Sequence, residues 1–208
     1  DPAGVVGSRE VVKSMRQIAD RRALFASRGD DSGTHKKEQE LWKAANVDVK
    51  AASGKWYRET GSGMGATLNL GVGMGAYVLA DRASWIAFGN KGNFKIAVEG
   101  DPTLFNQYGV IAVNPAKCPN VKADLAKTFE NWILSPKGQQ TIASYKKNGD
   151  SLFFPNAPKQ WLESKVRHST PLRLMRWCHT LQTVLLCFKG ICNCYILTCL
   201  IFSLKLIT

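Results

Sequence analysis

Twice within its first 66 residues the chain passes from a short strand-like run, through a turn of small residues, into a helix-forming stretch: "ALFAS" into "RGDDSGT", and "KWYRE" into "TGSGMGA". Each run is too short for a helix and is stopped by glycine, which reads as a strand, and a buried one in the apolar case of "ALFAS". Strand–turn–helix units repeated in this way specify an α/β sheet with helices packed on it. They also gather the strand-to-helix turns along one sheet edge, where such folds carry their sites.

The rest of the pattern agrees with that class. Apolar residues at 11, 12, 15, 18 and 19 have helical spacing over residues 11–22. Asp31 or Ser32 can cap a second helix running to about residue 46, with Leu41, Trp42 and Ala45 facing inward. After the glycine turn, "GSGMGATLNLGVGMGAYVLADR" reads as one helix with a polar stop, and "DRASWIAFG" as another, shorter one. Residues 94–98 and 108–115 read as strands. Residues 121–135 and 136–149 read as helices, the last opened by Pro136 and closed by Gly149.

The two turns carry the candidate chemistry. A helix start has unpaired N–H donors and a partial positive charge, so it favours anions. Arg28 adds a fixed fork of donors, Ser32 and Thr34 add hydroxyls, and Gly33 and Thr34 add amides. A second set of amides could come from Gly63, Met64, Gly65 and Ala66. If the two strands are neighbours, both helix starts face one crevice. A tetrahedral oxyanion needs donors from several directions, and this set would supply them. The competing reading is that Arg28 only pairs with Asp30 or Asp31, and the residues themselves do not decide between the two. A fully deprotonated oxyanion of that shape accepts hydrogen bonds only, so both aspartates are expected to point away from such a ligand, to the helix cap or to Arg28.

Other classes fit poorly. "GSGMGA" and "GVGMGA" are neither G-x-G-x-x-G nor a P-loop. His35 is the one histidine of the body and lies three residues from Ser32 on one helix; that makes no triad, and it reads as a solvated first-turn residue. No paired carboxylates suggest acid–base work, so an enzyme, including one acting on an anionic substrate, is the weaker reading. "RGD" at residues 28–30 follows a buried strand, too recessed for adhesion. The net charge of +12 is spread without a basic stripe interleaved with aromatics, which argues against nucleic acid. Five of the six cysteines lie between residues 178 and 199, at spacings that fit no zinc site, so neither metal nor other cofactor is expected.

"FASRGDDSGTHKKEQELW", with "YRETGSGMGATLN", "AYVLADRASWIAF", "LFNQYGVIAVNP" and "WILSPKGQQTIASY" in order, resembles the tungstate-binding solute receptors of ABC importers, a branch of the type II periplasmic binding proteins. The resemblance spans residues 1–158. It implies two α/β lobes joined by crossing strands, with tungstate or the related molybdate held between them and passed to an ABC permease outside the cytoplasm. By that likeness Arg28 is the charged clamp, Ser27, Ser32, Gly33 and Thr34 surround it, and residues 63–66 close the far side. Three segments are then expected: residues 1–110 as the complete second lobe; 111–158 as the return segment and C-terminal helices of a first lobe whose start is absent; and 159–208 as a cysteine-rich apolar tail outside the fold. The chain opens on Asp1 with no signal peptide visible, which fits a fragment. An alternative makes the tail functional, as a membrane or partner contact, because residues 184–208 are apolar; Lys189, Asn193 and Lys205 interrupt them.

Overall fold

The computed structural model describes residues 1–157 and 195–208. It divides into two compact units, Asp1–Phe105 with Ser203–Thr208, and Asn106–Phe202.

The first unit contains α1 (Val11–Asp20), β1 (Phe25–Ser27), α2 (Gly33–Ala44), β2 (Tyr57–Glu59), α3 (Met64–Met74), β3 (Tyr77–Asp81), α4 (Arg82–Ala87) and β4 (Ile96–Val98). It also holds the end of the last strand, which is named β9 (Tyr195–Ile207) after the strands of the second unit. The sheet order is β2-β1-β3-β9-β4; β1 is parallel to both β2 and β3, and β9 is antiparallel to β3 and β4. Strand residues alternate between two cores, because successive side chains leave a strand on opposite faces. Phe25, Tyr57, Tyr77, Leu79 and Leu206 share a core with Met15 and Ile18 of α1 and Leu41 and Trp42 of α2. Ala26, Val78, Ala80 and Ile207 share the other with Met64 and Leu68 of α3 and Trp85 of α4. Helices therefore cover both faces, which is why β1 and β3 are buried along their length, while the edge strand β2 keeps Arg58 and Glu59 exposed.

Several expectations are corrected here. Residues 77–81, read as the end of a helix, are strand β3 in the middle of the sheet. The helix ends at Gly75, whose φ of 67° lets the Ala76 N–H turn back to the Gly71 carbonyl and the Gly75 N–H to that of Val72, a Schellman close. The end of the tail, expected outside the fold, is inside it. Leu206 and Ile207 are fully buried on opposite faces, Thr208 and Lys95 exchange main-chain hydrogen bonds of 2.7 and 3.0 Å, and Lys205 Nζ donates to Glu99 at 2.6 Å. A strand with alternate apolar residues and a slot between two other strands needs no further signal to pair. The remainder of the tail reading, residues 158–194, lies outside the described residues. Among the described residues no helix is long and apolar enough to cross a membrane.

The second unit contains most of β5 (Phe105–Ala112), then α5 (Ala123–Leu134), α6 (Pro136–Ser144), β6 (Lys146–Lys147), β7 (Asp150–Ser151) and β8 (Phe154–Pro155). β8 pairs antiparallel with β9 through Phe154 and Ile201. The helix expected to reach residue 149 stops at Ser144. Asn148 and Gly149 both have positive φ, 54° and 85°, the geometry of a tight hairpin turn, so "KKNGDS" forms β6–β7 instead.

Candidate functional site

β1 and β2 are adjacent and parallel, with Ser27 beside Glu59, so the turns that follow them leave the same sheet edge side by side. They are tied together. The Thr60 N–H donates to the Ser27 carbonyl at 2.9 Å, the Ser62 N–H to the Arg28 carbonyl at 3.1 Å, and Thr60 Oγ1 also donates to Arg28 at 3.3 Å. Thr60 and Thr67 hydroxyls meet at 2.8 Å, which binds the second turn to the first turn of α3. Gly29, at φ +62°, lies where a Cβ would stand 3.0 Å from that of Glu59; only glycine lets the turns approach this closely.

Arg28 is paired. Its Nε and Nη2 donate to Asp30 Oδ2 at 3.1 and 2.5 Å, while Asp30 Oδ1 accepts from the Ser32 N–H at 3.2 Å. Burial pushes the Asp30 carboxyl up, but the bonds from Ser32 and Arg28 outweigh it and hold the group below its ordinary range. The pair fixes the guanidinium plane and leaves Nη1 without a contact among the described residues. The Asp31 carboxylate is turned out to solvent, 3.6 Å from Lys36. Ser32 is the cap of α2: its Oγ accepts from the His35 N–H at 3.3 Å. The N–H groups of Gly33 and Thr34, and those of Met64, Gly65 and Ala66 at the start of α3, have no chain acceptor among the described residues. Gly63 caps α3 without a side-chain bond. A nearby cleft lined by Arg22, Asp48, Lys55 and Trp56 lies at the other end of β1 and β2 and holds none of these donors.

Thr34 and Met64 are also buried, but Ser27 lies deepest of the expected site residues. It is wholly buried, and its hydroxyl sits by Glu38 and Tyr57 without completing a hydrogen bond. It lies behind the turn because it is the last residue of β1 and points into the core rather than outward. His35, expected in solvent, is also corrected. Its Nδ1 accepts from the Asp31 N–H at 3.0 Å, and its Nε2 lies 3.2 Å from the Gln39 side-chain amide. That amide is 2.7 Å from the Tyr57 hydroxyl, which is 2.7 Å from Glu38 Oε1; Trp42 Nε1 donates to the same oxygen at 3.2 Å. Burial pushes the Glu38 carboxyl up to about 7, against the donors around it and with the Glu59 charge adding to the rise. None of this network was read from the sequence. Glu38 resembles a solvated helix residue, but its spacing of three, four and seven from Leu41, Trp42 and Ala45 places it on the buried face and could have revealed it.

The model of a PBP superfamily domain matches residues 7–137. The tungstate-binding protein TupA of Peptoclostridium acidaminophilum is 45% identical over 152 residues, which are 72% of this chain and 52% of that protein. Among solved structures, the tungstate-binding protein TupA from Desulfovibrio alaskensis G20 is 46% identical with a TM-score of 0.65, over 76% of this chain and 64% of that one. The structure of the tungstate ABC transporter from Geobacter sulfurreducens is 35% identical with a TM-score of 0.57, over 70% and 60%. The chain spans about half the length of the curated relatives it matches.

Proposed function

The chain belongs to the PBP superfamily, and from that premise we propose that it is a solute receptor that captures tungstate, or a related tetrahedral oxyanion such as molybdate, for uptake by an ABC-type permease outside the cytoplasm. Binding, not catalysis, is its act. One observation carries the reading: two parallel neighbouring strands deliver two helix starts to one edge, with five unpaired amides at those starts and a guanidinium held by Asp30 in the first turn. The ligand-facing groups are Arg28, Ser32, Gly33, Thr34, Gly63, Met64, Gly65 and Ala66, with Ser27 supporting from behind.

The donor set fits a fully deprotonated oxyanion, which offers acceptors only and needs no acceptor in return. The two aspartates of the motif are turned to Arg28 and to Lys36, so neither supplies the acceptor that a protonated phosphate would use. Isothermal calorimetry of the chain with tungstate, molybdate, sulfate and phosphate tests this. Tungstate and molybdate are expected to bind more tightly than sulfate and phosphate. Absence of heat with all four, or a preference for phosphate, overturns the proposal.

A further inference from the structure

The hydrogen-bonded chain behind the turn constrains where its protons sit once the His35 tautomer and the Gln39 amide orientation are assigned. It starts at the Asp31 amide. An N–H that donates to His35 Nδ1 requires a lone pair there, so the proton of the neutral ring is on Nε2. Nε2–H then faces the Gln39 amide and needs an acceptor, so Gln39 presents its oxygen; the two ends of an amide are told apart by such bonding. The same Gln39 atom is 2.7 Å from the Tyr57 oxygen. An amide oxygen has no proton to give, so Tyr57 donates to it. The one Tyr57 proton is thereby used, and the 2.7 Å contact between Tyr57 and Glu38 Oε1 can be filled only by a proton on Glu38. Glu38 Oε1, as a hydroxyl oxygen, still accepts from Trp42 Nε1.

With Glu38 ionised the order reverses. Tyr57 donates to the carboxylate, Gln39 turns its NH2 to Tyr57 and to His35 Nε2, and the ring proton moves to Nδ1. There it opposes the Asp31 N–H. Asp31 holds a left-handed φ of 56° that non-glycine residues adopt at a cost, so the turn loses the bond that steadies a strained residue.

We propose that Glu38 is the positioning residue of the Arg28–Ser32 turn, holding it in register only in its uncharged form, through Tyr57, Gln39 and the His35 tautomer. The charged and titratable groups around it are few. β2 contributes Tyr57 and Glu59, and α2 itself contributes His35. The buried face of α1 is Val11, Ser14, Met15 and Ile18, with no ionisable group. β1 offers Phe25, Ala26 and Ser27, and on β3 the Tyr77 hydroxyl is committed to Asp1 and the Ala3 amide. Nothing cationic among them would stabilise the carboxylate, and burial places its titration at about 7. The effect on anion capture rests on the function proposed above; the proton count does not.

Two measurements on the full chain separate the two ideas. The first is a 15N-histidine NMR titration from pH 6.5 to 8.5. His35 is expected as the Nε2–H tautomer while Glu38 is protonated and as the Nδ1–H tautomer once Glu38 is ionised, and Glu38→Gln is expected to remove the change. Tyr57→Phe, which keeps the ring and cuts the relay, is the second variant. An Nδ1–H ring at pH 6.5, or a titration unaltered in both variants, overturns the proposal. The second is tungstate calorimetry. If only the protonated form is competent, affinity falls about eightfold from pH 6.5 to 8.0, and less than twofold in Glu38→Gln. Binding without that fall overturns the coupling. Absence of binding at both pH values overturns the anion reading, while the histidine spectrum still decides the network.

Discussion

Gly71→Ala sets two effects against each other in the helix that carries half of the proposed site. Glycine inside a helix is worse than alanine by roughly 0.5–1 kcal/mol, so propensity alone says the change stabilises. The structure says otherwise. A Cβ on Gly71 would lie 2.3 Å from Val78 Cγ2, against an ordinary carbon–carbon separation of about 3.5–4.0 Å. Val78 is buried in β3 and β-branched, so it has one comfortable rotamer, and Ala26 Cβ and the Ala76 carbonyl, both at 3.7 Å, close off the neighbouring space. α3 would have to lift from the sheet, and overpacking of this kind costs about 1–3 kcal/mol. Steric cost exceeds propensity, and a net loss of about 1–2 kcal/mol is expected. Gly73, two residues on, is the control: nothing lies within 4 Å of its added Cβ, so Gly73→Ala is expected to gain about 0.5–1 kcal/mol. Urea denaturation of both variants reads the difference, about 2 kcal/mol in favour of Gly73→Ala. Equal stability of the two, or a more stable Gly71→Ala, would refute the claim that α3 is seated by close contact at Gly71.

Other outcomes follow from the same coordinates. Arg28→Lys keeps the charge and loses the planar fork, and tungstate affinity measured by calorimetry is expected to fall about 10- to 100-fold, the equivalent of one charged hydrogen bond. Leu206→Ala, at a fully buried position in the slot between β3 and β4, should cost about 2–5 kcal/mol in denaturant; a loss under 0.5 kcal/mol would mean that β9 does not complete the sheet. Glu38 titrates at about 7 in the folded chain against an ordinary 4.5, so the folded state keeps a proton that the unfolded state gives up. Its contribution is full below pH 4.5 and is lost as pH rises through 7, a fall of about 3 kcal/mol on this group's account. Glu38→Gln should flatten that part of the stability profile, and an unchanged slope between pH 5 and 7 would count against a neutral Glu38.

The sequence went furthest where a local rule acts alone. Ser32 as the cap of α2, the inward face of Leu41, Trp42 and Ala45, and the α1 periodicity all depend on residues within a few positions of one another, and the structure has them as read. The glycines of α3 were legible as a peculiarity but not as three separate roles: Gly71 is a contact, Gly73 is open, and Gly75 is the left-handed cap. Strand β3 was missed because "YVLA" has no period to distinguish a buried strand from the end of a buried helix.

By itself, then, the order of residues determined the helices, their caps, the α/β class and the donors available at two turns, because hydrogen bonding and side-chain spacing along one segment are local matters. Only the tertiary structure decided that β1 and β2 lie parallel and adjacent, so that the turns stand together; that Leu206 and Ile207 return from the far end of the chain to fill the slot between β3 and β4; and that Glu38 sits in a dry core behind Asp31. Register and burial join residues far apart in the chain, and a carboxyl's proton depends on the solvent that packing removes from it.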